Sequence, residues 1–423
     1  MQHPGLYYWG LAMIYWEEKK EGSLPIISWC AAVEDGALEQ ARNLARHPAV
    51  SLRVVLMPDC HQGFGMPIGG VIAVKDAIIP NAVGVDIGCG MVAVKTDFRL
   101  EGENQALLPK SRIRQIMDTI KTRIPLGEGH ARKVPIRWDG FELWEDSIMR
   151  DEMPGWFSDR SHDLDQRNLG TLGGGNHFIE LQRDEEGFLW IMLHSGSRNL
   201  GSRIASHYHG LALSQNQAQR IALPSKELAF FYTDSLSGRC YIRDMEFAMS
   251  YAQENRRLMM HICKEIIADF IPGISFEEEI NIHHNYAKRE VHEGREFWIH
   301  RKGATSARLG QLGIIPGSMG TPSYIVEGLG NPASFQSCSH GAGRRMGRNE
   351  ACRRLDPEEC DRAMGDVVYD KWKTSDVKGG KKKHLPDLSE APLAYKNIDE
   401  VLESELDLVK PRAKLKPLAV IKG

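Results

Sequence analysis

The feature that most constrains the fold is the wide spacing of glycine-flanked segments that carry histidine, cysteine or aspartate. Five such segments lie in or beside a loop or strand end, at residues 85–90, 173–180, 193–198, 282–285 and 338–344. Residues so distant in sequence can share one chemistry only if a single domain brings their loops together. No shift in composition marks a domain boundary. We therefore predict an α+β fold, a single large domain of mixed β-sheets with surrounding helices and a central cleft.

Local patterns predict the main elements. Apolar residues at helical spacing predict helices over 34–46, 108–124 and 245–270. Short apolar runs predict strands over 54–57, 69–74, 189–193 and, docked at the end of the sequence, 417–423. The segment 58–67 is dense in glycine and proline and predicts a loop. Residues 81–95 alternate strand-like stretches with glycines, and the basic segment 378–383 predicts a solvated loop.

Composition excludes several classes of protein. Among 423 residues, 53 are Lys or Arg and 56 are Asp or Glu, so the formal net charge is 53 − 56 = −3, and 42% are hydrophobic. These values exclude a disordered chain, a collagen-like fibre and a coiled coil, and they argue against nucleic-acid binding through overall charge alone. The eight cysteines form no CxxC pair, which indicates a reducing, cytoplasmic location. No apolar run is long enough to span a membrane.

The first four segments supply candidate metal ligands. Asp86 and Cys89 lie three residues apart in a glycine-rich strand end, where both can face one ion and a thiolate can bridge two. His177, His194 and one of the adjacent His283 and His284, which point to opposite faces of an extended chain, complete the set. Each segment alone also fits an ordinary turn with a buried cysteine or a hydrogen-bonded histidine. Together, the mixed N, O and S donors favour Zn²⁺, Mn²⁺, Co²⁺ or Ni²⁺ over Mg²⁺ or Ca²⁺.

The fifth segment differs because it places a histidine among small residues. His340 is followed by a Gly-Ala-Gly run and by Arg344 and Arg348. An imidazole can act as a nucleophile, and the arginines can neutralise phosphate oxygens. Upstream, the segment 316–323 offers backbone N–H groups and hydroxyls that suit a nucleotide, although it is not a Walker A motif. The alternative for the arginines is a solvated basic helix face.

Seven motifs, in order, resemble those of the RtcB-type RNA ligases. They are Met57-Pro-Asp-Cys-His-Gln-Gly63, Val83-Gly-Val-Asp-Ile-Gly-Cys-Gly-Met91, Gly175-Asn-His-Phe-Ile-Glu180, His194-Ser-Gly-Ser-Arg198, His283-His-Asn285, Pro316-Gly-Ser-Met-Gly320 and Ser339-His-Gly-Ala-Gly-Arg344. The resemblance runs from about Leu24 to Gly423, which predicts a catalytic domain at 24–423 and an N-terminal extension at 1–23. Asn199 stands where the family usually has glycine.

The resemblance implies an enzyme that joins an RNA 3′-phosphate or 2′,3′-cyclic phosphate to a 5′-hydroxyl, using GTP as co-substrate and two Mn²⁺ ions. Asp86, Cys89 and His177 are then ligands of one ion, Cys89, His194 and His284 are ligands of the other, and His340 is the nucleophile that carries GMP. The implied nucleotide-binding set is Asn176, His177, Phe178, Ile179, Glu180, His284, Asn285, Pro316, Gly317, Ser318, Met319, Ser323, His340, Gly341, Ala342, Gly343 and Lys422. We assign phosphate or RNA contacts to Arg198, Lys302, Arg344 and Arg348.

The resemblance leaves the biological task open between tRNA splicing and RNA repair. A 3′-phosphate end-capping guanylyltransferase is an alternative function. The resemblance also leaves open whether the enzyme needs an archease-like activator. A metal-dependent phosphoesterase would need the metal ligands but not the His340 loop. A binding protein without activity should have lost a ligand or His340. We expect a monomer without a membrane partner.

Overall fold

The computed structural model describes residues 14–16, 23–148, 154–372, 374–376 and 384–423. The predicted loop at 378–383 and most of the predicted extension at 1–23 lie outside the described residues. Within them, the α-helices are α1 (Asp35–Ala45), α2 (Pro80–Val83), α3 (Glu103–Leu107), α4 (Lys110–Arg123), α5 (Asp139–Asp146), α6 (Asp159–Asn168), α7 (Arg198–Ala218), α8 (Leu236–Phe270), α9 (Arg348–Arg354), α10 (Pro357–Met364) and α11 (Ile398–Glu403). Short 3₁₀ turns occur at Lys226–Leu228, Pro332–Ser334 and Pro392–Ala394.

The strands of the same residues form two large sheets and three small ones. They are β1 (Ile14–Trp16), β2 (Ile26–Ser28), β3 (Val50–Phe64), β4 (Met66–Val74), β5 (Ala77–Ile78), β6 (Gly90–Arg99), β7 (Phe178–Arg183), β8 (Phe188–Ser195), β9 (Phe231–Tyr232), β10 (Ile280–His283), β11 (Asn285–His292), β12 (Arg295–Lys302), β13 (Ala304–Ser306), β14 (Leu312–Ile315), β15 (Ser323–Gly328), β16 (Ser337–Ser339), β17 (Thr374–Asp376), β18 (His384–Pro386) and β19 (Val409–Lys422).

The two large sheets differ in their pairing. One has the order β1-β2-β3-β4-β12-β11, in which β2 and β3 are parallel and the other neighbours antiparallel. The other has the order β10-β6-β8-β7-β19-β15-β14 and is antiparallel throughout. Helices cover these sheets, so the predicted α+β fold with mixed sheets and surrounding helices is confirmed.

Apolar faces of the helices hold the sheets in place. One face of the seven-stranded sheet packs against α4 through residues such as Ile116 and Ile120, and against α8 through Met260 and Ile267. On the six-stranded sheet, Leu44 of α1 packs in a second buried cluster. Burial of each such side chain contributes about 1.5–3 kcal/mol relative to exposure. These contacts fix the strand ends from which the loops project.

Antiparallel pairing brings several predicted ligand segments to the same end of neighbouring strands in the seven-stranded sheet. Strands β6 and β7 begin at this end of the sheet, and β8 and β10 finish there. The residue that follows β10 is His284, and β11 of the six-stranded sheet begins directly after it. The two large sheets are therefore joined at the point where the candidate ligands meet.

The segment 58–67 corrects one prediction. Instead of a loop, β3 continues to Phe64 and β4 begins at Met66, with several shifts of register between the two strands. These irregularities accommodate Pro58 without a regular ladder, because a bulged strand tolerates a missing N–H donor. Within the segment 81–95, part of the predicted extended chain is also replaced by the short helix α2.

Two other predictions concern cysteines and membranes. The eight cysteines all fall in the described part of the chain and form no disulfide bond. Of the helices that the structure describes, none is both long enough and apolar enough to cross a bilayer.

Candidate active site

The candidate metal ligands form a buried cluster at this end of the seven-stranded sheet. The Cys89 Sγ lies 3.2 Å from Nε2 of His194 and 3.5 Å from Nε2 of His177. The His177 Nε2 is also 3.1 Å from Oδ2 of Asp86, and Nε2 of His194 is 3.2 Å from Nε2 of His284. Cys89 and the three histidines are at most 5% exposed. The structure thus brings together all five residues that the sequence proposed as ligands.

Backbone carbonyls fix the orientation of two of these rings. The Nδ1 atom of His177 lies 2.9 Å from the Leu172 carbonyl oxygen, and that of His194 lies 3.1 Å from the Asn176 carbonyl oxygen. A carbonyl can only accept, so Nδ1 carries the proton and Nε2 presents its lone pair to the thiol. This is the arrangement by which outer contacts orient histidine ligands on a metal. The donor set fits a divalent transition metal.

Electrostatics within the cluster also favour a cation. Burial, followed by the neighbouring Asp86 carboxylate, raises the pKa of the Cys89 thiol well above its ordinary value. Burial lowers the pKa of His194 and His284, so both are neutral at physiological pH. Burial would raise the pKa of Asp86, but its close contact with His177 outweighs burial and lowers that pKa. A cation in the centre would satisfy the carboxylate and the converging lone pairs and would favour the thiolate.

His340 is held beside this cluster by a carboxylate from the first quoted motif, to which the sequence analysis assigned no role. Asp59, in β3, is completely buried, and its Oδ2 lies 2.6 Å from Nδ1 of His340. The Nδ1 atom therefore donates to Asp59, which leaves Nε2 as the nucleophilic atom. The rings of His340 and His284 are 4.8 Å apart, in an edge-to-face arrangement. Gly343, at φ +71°, allows the His340 loop to approach Asp59 closely, because a Cβ at this position would lie only 2.4 Å from the Asp59 carbonyl oxygen.

A cleft of about 550 Å³ opens above the cluster. Its walls include fifteen of the residues predicted from the sequence: Asn176, Phe178, Glu180, His194, Pro316, Gly317, Ser318, Met319, His340, Gly341, Ala342, Gly343, Arg344, Arg348 and Lys422. Cleft residues that the sequence reasoning missed include Gln62, Glu390 and Tyr395.

Three of the predicted cations surround one carboxylate at the cleft wall. Glu390 lies 3.2 Å from Arg344, 3.1 Å from Arg348 and 3.2 Å from Lys422. Burial would raise the pKa of Glu390, but these three cations, Lys422 first, lower it to about 2. The carboxylate therefore remains charged and fixes three cationic groups around the cleft.

Several predicted residues have contacts away from the cleft wall. Among the described residues that line the cleft we do not find Arg198, Lys302, Asn285 or Ser323. The Lys302 ammonium donates to the carbonyls of Phe64 and Asn81, and burial lowers its pKa to about 8.

Arg198, Asn285 and Ser323, the other three residues outside the cleft wall, support the surrounding loops. Arg198 donates to the Thr171 hydroxyl, and its neighbour Asn199 is exposed in the first turn of α7. The Asn285 amide bonds to the Asp86 carbonyl and to the N–H of Gly303. The Ser323 hydroxyl accepts from the N–H of Gly317.

Strand alternation separates neighbours in the segment 178–180. Phe178 and Glu180 line the cleft, whereas Ile179 is buried in the core on the opposite face of β7. Burial raises the pKa of Glu180 to about 8, against the opposing effect of Lys422. Glu180 therefore places a buried hydrogen-bonding carboxyl group in the cleft.

A metal-capable cluster, an oriented histidine and a cationic cleft together define an enzyme active site. Comparison with known proteins identifies the class. The family model described as tRNA-splicing ligase RtcB matches residues 40–423. The chain therefore belongs to the RtcB family of RNA-splicing ligases, which confirms the resemblance found in the sequence.

Individual relatives match over almost their whole length. The RNA-splicing ligase RtcB of Escherichia coli K12 is 38% identical over 415 residues, which cover 94% of this chain and 97% of the relative. The tRNA-splicing ligase RtcB of Pyrobaculum aerophilum is 30% identical over 458 aligned residues, covering 92% and 91%. The RNA-splicing ligase RtcB of Mycobacterium bovis is 31% identical over 449 aligned residues, covering 91% and 100%.

Proposed function

We propose that this RNA ligase joins an RNA 3′-phosphate or 2′,3′-cyclic phosphate to a 5′-hydroxyl, with GTP as co-substrate and Mn²⁺ as metal. The observation that carries the proposal is the His340–Asp59 pair, which faces the candidate metal cluster across 4.8 Å between ring centres. A phosphoesterase would use the metal cluster but would have no need of an oriented histidine nucleophile.

The distances within the cluster support two ions that share one thiolate. Asp86, Cys89 and His177 would hold the first ion, because His177 lies within 3.5 Å of both other ligands. His194, 3.2 Å from the Cys89 Sγ, and His284, 3.2 Å from His194, would hold the second together with Cys89. Bound there, the ions would polarise phosphate oxygens and neutralise the charge that develops on them.

The residues of the chain would then act in three stages. The Nε2 atom of His340 attacks the α-phosphorus of GTP, forms a P–N bond and releases pyrophosphate. A cyclic end is first hydrolysed by water at its P–O2′ bond to a 3′-phosphate and a 2′-hydroxyl. The RNA 3′-phosphate then takes GMP from His340, with cleavage of the P–N bond, and becomes RNA(3′)pp(5′)G. The 5′-hydroxyl then attacks the RNA phosphate and releases GMP. Arg344, Arg348 and Lys422 would orient and neutralise the phosphates.

Guanine is the base that the cleft suits best. Glu180, as a carboxylate, can accept hydrogen bonds from N1–H and the 2-amino group of guanine, whereas adenine presents a lone pair at N1. Burial raises the pKa of Glu180 to about 8 against the effect of Lys422, and the two guanine donors would favour the carboxylate form in the complex. A buried site that depends on such bonds discriminates strongly against the wrong base. GTP should therefore label the protein far better than ATP does.

Labelling with GTP tests this proposal directly. Incubation with GTP labelled at the α-phosphate and Mn²⁺ should attach GMP to the wild type and to the control His261→Ala, which alters an exposed histidine. The His340→Ala variant should take up no label, yet it should still seal an RNA that carries a preformed (3′)pp(5′)G end. Because a phosphoramidate hydrolyses in acid, the label should be acid-labile and stable to alkali. Labelling of His340→Ala would assign GMP to another residue.

The same assay separates ligation from the alternative of end capping. A ligase should convert RNA(3′)pp(5′)G to a sealed strand when a 5′-hydroxyl end is added. Accumulation of capped ends without sealing, under conditions that label His340, would instead identify an end-capping guanylyltransferase.

A further inference from the structure

We propose that Arg256 is a positioning residue of the candidate metal centre, which holds three ligand-bearing segments of the chain in register. The proposal rests on the proposed function, since it presumes that metal ions bind at the cluster. Arg256 lies within the 35-residue helix α8, which begins at a Ser235 cap. Its side chain is completely buried beneath the strand ends that carry the candidate ligands.

The guanidinium spans three separate segments. Its Nη1 donates to the Gly88 carbonyl at 2.9 Å and to the Ser195 carbonyl at 3.0 Å. Its Nε donates to Oδ1 of Asn281 at 3.0 Å. Gly88 lies just before the start of β6, and Ser195 is the last residue of β8, the strand that pairs with β6. Asn281 belongs to β10.

Each of these contacts falls close to a candidate ligand. Gly88 directly precedes Cys89, and Ser195 directly follows His194. Asn281 lies on β10, the strand that leads into His284. A single side chain thus fixes the backbone beside the bridging thiol and beside one imidazole, and the strand that carries a second imidazole.

His283 adds a fourth contact to the network. The Arg256 Nη2 lies 3.2 Å from Nδ1 of His283, which in turn lies 2.9 Å from the Gly88 carbonyl. One ring nitrogen cannot both accept from the guanidinium and donate to the carbonyl, so we assign its proton to the shorter contact. His283, the neighbour of a candidate ligand, therefore acts on the same Gly88 carbonyl as Arg256.

Charge gives Arg256 a second effect on the centre. Its hydrogen bonds go to two carbonyls and an amide, and among the described residues it forms no ion pair with a carboxylate. A buried cation without a paired anion is costly. Cys89 and Asp86, the proposed anionic ligands, interact with this charge through space. The Arg256 guanidinium therefore lies within electrostatic reach of the proposed centre.

Substitution of Arg256 should weaken metal binding rather than remove a ligand. Arg256→Met keeps much of the volume but loses the hydrogen bonds and the charge, so we expect Co²⁺ affinity to fall by about 10- to 100-fold. Arg256→Lys restores the charge, yet one ammonium cannot reproduce the guanidinium fork, so recovery should be partial. Titration with Co²⁺ alone measures the affinity, because thiolate-to-cobalt absorption reports ligation by Cys89 independently of enzymatic activity.

Two further variants keep the test decisive. Arg301→Lys alters another completely buried arginine, which bonds to Glu290 and to Ser337, and it should leave Co²⁺ affinity unchanged. Should Arg256→Met fail to fold, Asn281→Ala still removes one acceptor of Arg256 and should weaken Co²⁺ binding several-fold.

The outcomes separate the two proposals. Absence of Co²⁺ binding by the wild type would contradict the metal-dependent function itself. Binding by the wild type with equal affinity and spectrum in Arg256→Met, or an equal loss in Arg301→Lys, would overturn only the positioning role of Arg256. A loss confined to the Arg256 and Asn281 variants would support that role.

Discussion

The pairing of Asp59 with His340 is the most local determinant of the proposed chemistry. The carboxylate accepts from Nδ1 at 2.6 Å, and its second oxygen Oδ1 is buried without a hydrogen-bond partner among the described residues. The carboxylate selects the tautomer with a free Nε2 and, in the proposed reaction, would stabilise the imidazolium formed when Nε2 takes up GMP.

Asp59→Asn should therefore slow guanylylation specifically. The amide retains the shape but loses the charge, so we expect the rate of GMP attachment to fall about 100-fold or more, as for loss of other preorganised electrostatic contacts. Sealing of RNA(3′)pp(5′)G should change far less. Single-turnover assays of the two steps provide the comparison. Asp184→Asn, which alters a buried aspartate bonded to Trp190, is the matched control.

Cys89 is the residue on which both proposed ions depend. Its Sγ lies near both His177 and His194, so Cys89→Ala should remove two bound ions and all activity. The pKa of this thiol is raised by burial, so the metal must displace a proton, and affinity should rise with pH. Metal analysis after dialysis at pH 6 and pH 8 measures both effects. Two ions retained by Cys89→Ala would refute the shared thiolate.

At the residue scale, the sequence predicts ligands better than their supports. Asp86, Cys89 and His340 stand in glycine-rich segments, and these segments taken together favour metal ligation and nucleophilic attack. Asp59 lies in the first of the quoted motifs but was assigned no role, and Arg256 gave no comparable signal. Asp59 acquires its role from a partner 281 residues away, and Arg256 lies in an otherwise ordinary helix. Such contacts follow from tertiary packing, which local patterns do not encode.

At the scale of elements, Glu390 joins the segment before α11 to α9 and to β19 through Arg348 and Lys422. Its pKa of about 2 lies below the ordinary value for glutamate, so the folded state binds the proton less tightly than the unfolded state. The ionised form therefore stabilises the fold above about pH 4.5. This contribution, roughly 3 kcal/mol, is lost as pH falls from there toward 2.

Glu390→Gln should alter that acid dependence. Urea unfolding at pH 7 and at pH 3.5 should show a smaller drop in the free energy of unfolding for the variant than for the wild type, because the amide does not titrate. The variant should also be less stable at pH 7, where three cations lose their shared partner. An identical pH dependence in both proteins would exclude Glu390 as a contributor.

Strand β19 carries adjacent residues with separable roles. Ile421 is 2% exposed in the core beneath the sheet, whereas Lys422 lines the cleft. Ile421→Ala should lower the free energy of unfolding by about 2–5 kcal/mol while GTP labelling remains measurable in the folded fraction. Lys422→Ala should lower the free energy of unfolding by less than Ile421→Ala does, because Arg344 and Arg348 still pair with Glu390, but it should raise the GTP concentration needed for half-maximal labelling. The opposite pattern would contradict the assignment of the two faces.

Element prediction succeeded where one periodicity dominates. The helix predicted at 34–46 is observed at Asp35–Ala45, and the strand predicted at 189–193 lies within Phe188–Ser195. The loop predicted at 58–67 was wrong because glycine and proline also occur in bulged strands, and pairing with β4 overrides the local preference. The division at residues 23 and 24 stays a prediction, although the family match begins at residue 40.

For the whole molecule, the decisive test is the polarity of the RNA ends. The proposed reaction places GMP on a phosphate at the 3′ end, so ends with 3′-phosphate and 5′-hydroxyl should be sealed with GTP and Mn²⁺. Ends with 3′-hydroxyl and 5′-phosphate should not react, because no 3′-phosphate is available to accept GMP. Gel analysis of the two matched RNA pairs gives the answer. Efficient joining of the second pair would place the mechanism with ligases that activate the 5′ end.

The position of β19 also bears on how the protein is made. This strand lies between β7 and β15, although β7 precedes it by more than 200 residues in sequence. During synthesis, both neighbours must wait with unpaired edges until the ribosome has released residues 409–422. Such long-range pairing is slow to form. A nascent or prematurely terminated polypeptide would thus lack Lys422 at the cleft and leave one edge of β7 and one edge of β15 unpaired, and unpaired edges of this kind promote aggregation.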